Sequence, residues 1–148
     1  MIHPRRTLWR LLVALAGALA AAAAGAACPP ADSDGSTIRK GTLTLAWRPL
    51  LTGEKAPKSA RIPMAKHFAL EVQLCDKDAA SDAQLQKADA TMPAHKHGMN
   101  YRPVIKPLGA GRFRVEGMMF HMAGQWELAF EVKSGNETLR LAQEVHAD

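Results

Sequence analysis

Two short stretches of this 148-residue chain carry the side chains best suited to chemistry. Met92-Pro-Ala-His-Lys-His-Gly-Met99 and Met118-Met-Phe-His-Met-Ala-Gly124 together hold three of the six histidines and five of the seven methionines. Imidazole nitrogen with thioether sulfur is a donor set that suits copper, Cu(I) above all, and suits magnesium, calcium or manganese poorly. If the first stretch is extended, His95, His97 and Met99 point to one face, because strand side chains repeat every two residues. His121 or Met122 would close the site from the second stretch. These two point in opposite directions along an extended chain, so only a sharp bend brings both to one ion. Of Met118 and Met119, one is expected in the core. His95, His97 and His121 alone would suit zinc, but thioethers are poor zinc ligands and the surrounding methionines favour copper. The competing reading makes the methionines adaptable core filler and the histidines loop residues on a polar rim.

Other chemistries find less support. There is no Ser/His/Asp arrangement, no phosphate-cradling Gly-rich loop and no His-Glu-x-x-His motif, and the acids are scattered. A blue-copper site needs a Cys thiolate beside two histidines. Neither Cys28 nor Cys75 adjoins a histidine, although Cys75 is a soft donor in its own right. The expectation is a protein that is not an enzyme. No basic stripe with interleaved aromatics points to nucleic acid.

The donors must be positioned by strands. Leu43, Leu45 and Trp47 alternate with polar or small residues, and so do Phe68, Leu70, Val72 and Leu74. A strand is expected near Leu85 to Met92, with a short helix over 78–87 as the alternative. Tyr101 to Leu108 is broken by Pro103 and Pro107 and reads as an edge or irregular segment. Gly109-Ala-Gly111 predicts a turn before Phe113 and Val115. Trp126, Leu128, Phe130 and Val132 alternate next, with Trp126 as a core anchor. Ser134-Gly-Asn136 predicts a hairpin into Leu139, Leu141 and Val145. About seven short strands with no strong helix predict an antiparallel β-sandwich, Phe68, Leu70, Val72, Phe113, Val115, Trp126, Leu128 and Phe130 being core. Both donor stretches then fall on connections, the second inside an expected hairpin, and loops on a rigid scaffold are where binding residues gather.

Residues 1–27 read as a cleaved signal peptide: Arg5, Arg6 and Arg10 precede an apolar, alanine-rich run from Leu11 to Ala24. Arg5-Arg6 partly resembles a twin-arginine signal, and ordinary Sec export is the simpler route. Removing it takes three of the 19 Lys and Arg, so the formal charge of +5 falls to +2, with 16 bases against 14 acids. About 120 residues remain, enough for one domain. Residues 28–36 read as a flexible lead-in and 37–148 as the sandwich. Cys28 would either pair with Cys75, as exported cysteines do, or carry a lipid, although Gly25 stands where a lipobox normally has Leu. The disulfide is preferred.

The run Met92-Pro-x-His-x-His-Gly-Met99, then Gly109-x-Gly-x-Phe113 and Gly117-Met-x-Phe-x-Met122-x-Gly124-x-Trp126-x-Leu128, resembles the FixH/YtkA-like domain family. Ala123 stands where that family commonly has proline, and FixH proper has a membrane anchor where this chain has a cleavable signal. The resemblance implies an immunoglobulin-like sandwich in the bacterial envelope, in a group associated with copper handling and cytochrome oxidase assembly. Residues and resemblance together predict an exported module in the periplasm, or anchored through a lipid on Cys28. It would bind copper at His95, His97, Met99, His121 and Met122 and exchange it with an envelope donor or acceptor protein. The alternative is a metal-free interaction domain that docks on an envelope partner.

Overall fold

The computed structural model describes Cys28, residues 36–51 and residues 62–148. The expected signal peptide, residues 29–35 of the expected lead-in and residues 52–61 lie outside the described residues.

Among the described residues, ten strands form two sheets. They are β1 (Ser36–Lys40), β2 (Leu43–Leu51), β3 (Phe68–Asp76), β4 (Ala79–Ala80), β5 (Gln84–Met92), β6 (His97–Gly98), β7 (Val104–Gly109), β8 (Arg112–Met118), β9 (Gly124–Ser134) and β10 (Glu137–Ala147). One sheet runs β1-β2-β3-β8-β7 with β4 attached to β3, and the other runs β10-β9-β5-β6. All pairings between these strands are antiparallel. The antiparallel sandwich is as expected, and the seven longer periodic strands coincide with the seven anticipated. The additional ones, β1, β4 and β6, are too short or too polar to show a period: β1 carries Ile38 as its lone large apolar residue.

Between the sheets lie Trp47, Leu70, Val72, Val115, Trp126, Leu128 and Phe130, each fully buried, with Phe68 and Phe113 nearly so. Burying a large apolar side chain contributes about 1.5–3 kcal/mol, so these alternating faces hold the sheets together. On the outer face, Glu71 accepts from Arg48, while Glu116 faces Lys106 at 2.6 Å and Arg114 at 3.0 Å. The Lys106 hydrogen bond is the main reason the Glu116 carboxyl is held below its ordinary range.

Two β-bulges set which residues face inward. The β3–β8 register shifts between Phe68 and Leu70, where three residues of β8 span two of β3. Gly117, at φ +84°, supplies the left-handed conformation that the extra residue requires. Inward positions therefore change from Phe113 and Val115 to Met118 and Phe120. In β5 a similar shift follows Leu85, after which Ala88, Ala90 and Met92 face the core.

The expected hairpin between β8 and β9 is not formed. These strands belong to opposite sheets, and residues 119–123 cross between them. Met118 and Phe120, both fully buried, pin the start of this crossing, and fully buried Trp126 pins its end. The segment is further fixed by Ala65 N–H donating to the Phe120 carbonyl at 2.7 Å.

Cys28 and Cys75 form a disulfide, with Cα atoms 5.7 Å apart. In this state Cys28 carries no thiol for a lipid, and Cys75 is no longer a copper donor. Cys75 lies near the C-terminal end of β3, whereas Phe68 at its other end meets Phe120.

Candidate metal centre

The first donor stretch does not run extended through its histidines. Pro93–His95 forms a single 3-10 turn, and Lys96 takes the left-handed conformation at φ +54°. Proline at the start of the turn supplies a suitable φ and needs no hydrogen-bond partner for its nitrogen. The chain reverses within four residues and returns as β6, pairing His97 with Met92 and Gly98 with Thr91. A Cβ at Gly98 would stand 3.4 Å from the Ala90 carbonyl oxygen, an ordinary contact, so the return follows from the turn and not from the glycine. Met99 N–H then donates to the same carbonyl at 3.0 Å. The expectation of one extended face is therefore corrected: β6 covers only His97 and Gly98, and His95 reaches His97 around a turn.

The second stretch meets the first at the same end of the sandwich. The His97 ring has its centroid 5.8 Å from His95 and 5.1 Å from His121. The three imidazoles form a row with His97 in the middle. His95 is exposed, whereas His97 and His121 are half-buried. Met99 and Met122 are partly buried and pack against the core, so their thioethers serve as apolar packing in this state. Met118 is wholly core and Met119 half-buried, as expected of one from that pair. The bend at Met122 and Ala123 is the sharp turn that an extended chain would have lacked.

Trp126 belongs to this group as well as to the core. Its ring centroid lies 5.8 Å from His97 and 5.4 Å from His121, both in edge-on geometry, and Phe120 stacks on it at 4.7 Å. Its indole N–H donates to the Met122 carbonyl at 3.0 Å. The spacing of four residues from Met122 was the available signal, but strand periodicity assigned Trp126 to packing alone.

One atom tests whether these residues fit a metal ion. Nδ1 of His121 is buried without a hydrogen-bond partner. An unpaired buried polar atom typically costs about 1–3 kcal/mol, so its retention calls for an explanation such as an ion. Nδ1 of His97, by contrast, lies 3.3 Å from the Gly98 carbonyl, leaving Nε2 as its free donor. Counting only His, Cys, Asp and Glu, the described residues contain no group of three or more that could hold a metal. The His-only set considered for zinc is thus not assembled. A centre here would have to draw on a thioether beside His97 and His121, the candidates being Met99 and Met122, with His95 at the rim.

No family model matches the chain, and no curated protein matches it. Among solved structures it is similar to a copper-bound variant of FetP from uropathogenic Escherichia coli. The likeness covers 76% of this chain and 94% of that one, at 8% identity and a TM-score of 0.49. That is too distant to bear on function.

Proposed function

We propose that this chain is an exported copper-binding module, not an enzyme, that buffers Cu(I) or passes it to and from partner proteins in the envelope. The observation that carries this reading is the buried, unpartnered Nδ1 of His121 beside the His97 ring, on a crossing flanked by thioethers. Two imidazoles and a thioether offer Cu(I) a low-coordinate soft site and offer Zn(II) one donor too few of its preferred kind. The signal-like sequence of residues 1–27 supports delivery to the periplasm, where the Cys28–Cys75 disulfide can persist. The FixH/YtkA-like sequence pattern agrees with that setting and leaves a part in oxidase assembly as its narrower form.

The decisive measurement is anaerobic competition for Cu(I) against a chromophoric chelator. The native protein should take up one Cu(I), and the His97→Ala/His121→Ala variant should take up none. Equal affinity in the two proteins would remove the copper reading.

A second reading, a metal-free domain that docks on an envelope partner, draws on edge strand β7. Val104 and Leu108 there are 57% and 48% exposed, and an unpaired edge with apolar side chains invites association. Absence of Cu(I) uptake by the native protein, together with loss of envelope association in Val104→Lys/Leu108→Lys, would favour it.

A further inference from the structure

Trp126 contacts three residues of the proposed centre. Its ring meets His97 and His121, and its indole N–H holds the carbonyl of Met122. It is fully buried, and Phe120, stacked nearly parallel at 11°, backs it against the core. Gly124, at φ +121°, lets the chain turn between Met122 and Trp126. A Cβ at that position would stand 2.9 Å from Cε of Met92, so the turn is seated tightly on the core.

We infer that Trp126 is the residue that sets metal specificity at this site, by positioning the second stretch and closing its inner side to additional ligands. This role rests on the copper reading above. Coordination number separates the two ions. Cu(II) seeks a tetragonal set of nitrogen and oxygen donors, whereas Cu(I) is satisfied by a few soft ones. An indole packed against both imidazoles puts hydrocarbon where a fourth or fifth oxygen donor would enter. The Nε1–H bond adds order, since it fixes the backbone that carries His121 and Met122, and supports of this kind commonly govern metal affinity 10–100-fold. Trp126 is thus a positioning residue and not a ligand.

Two measurements test it. In the native protein, Cu(I) is diamagnetic and the indole N–H resonances of Trp126 and Trp47 can be followed together. Trp47 donates to Oε1 of Gln143 and, among the described residues, makes no ring contact with a histidine, so it serves as the internal control. One equivalent of Cu(I) should shift the Trp126 signal and slow its hydrogen exchange, leaving Trp47 unmoved. The second measurement uses Trp126→Phe, which keeps an aromatic ring against Phe120 and removes the N–H. It should weaken Cu(I) about 10–100-fold and leave Cu(II) unchanged or tighter, narrowing the preference between the two ions. If the native protein binds Cu(I) while the Trp126 signal stays still, or if Trp126→Phe retains the native preference, this role is wrong and the copper reading stands. If the native protein binds no Cu(I), both fall. Should Trp126→Phe not fold, the resonance experiment decides alone.

Discussion

At the residue scale, the three histidines differ in ways their spacing did not show. His95 is exposed at the end of a one-turn helix, and His97 and His121 are half-buried against Trp126. His95→Ala should therefore weaken Cu(I) by less than about tenfold, whereas His97→Ala or His121→Ala should weaken it by about 100-fold or more, beyond the range usual for supporting residues. Chelator competition on the three single variants gives the ranking, and equal losses would contradict it. For the thioethers the useful change is methionine to leucine, which keeps volume and apolar contact and removes only sulfur. Met122→Leu should alter stability by less than about 1.5 kcal/mol in urea titration. It should weaken Cu(I) more than Cu(II) if Met122 is the closing ligand. The same test on Met99→Leu tells which thioether is used.

At the scale of elements, tight turns and bulges decide where donors stand. Gly111 ends the β7–β8 turn at φ +70°, and a Cβ there would come 2.5 Å from the Leu74 carbonyl oxygen. Gly111→Ala combines a left-handed penalty with a clash against backbone and should cost about 2–5 kcal/mol. Gly117 has a positive φ but open space around the missing Cβ, so Gly117→Ala should cost only about 1–2 kcal/mol. Chemical denaturation should return that order. Because Gly117 makes the bulge that reverses inward parity before Met118, its alanine variant should also lower Cu(I) affinity, while Gly111→Ala, near the other end of β8, should not once folded.

At the scale of the molecule, the disulfide and the donor cluster lie toward opposite ends of β3. The bridge closes a loop across a sequence separation of 47. Chain entropy alone then makes the denatured state less favourable by about 4 kcal/mol. Cys28→Ser/Cys75→Ser should lose much of that stability, read from unfolding midpoints, yet keep the Cu(I) affinity of the native protein in the folded fraction. A coupled loss of affinity would show that the two ends communicate through the sheet.

The period-two patterns of Phe68–Leu74, Phe113–Val115 and Trp126–Val132 were enough to determine the sandwich, its core and its longer strands. An apolar face repeated on strand after strand is hidden when two sheets close on each other. Composition likewise singled out the His/Met stretches, because few roles call for five methionines and three histidines in so little chain. What tertiary structure decided was direction. A bulge adds one residue and reverses every later side chain, and the sequence marks Gly117 as permissive without stating that a bulge is made there. The placement of β8 and β9 in opposite sheets, which turned an expected hairpin into a crossing, depends on partners distant in sequence: Ala65 binding the Phe120 carbonyl and Phe68 facing Met118. The packing of His97 and His121 against Trp126 is likewise a product of tertiary structure, since 23 residues separate the two imidazoles in the chain and they meet only where the crossing between the sheets reaches β6.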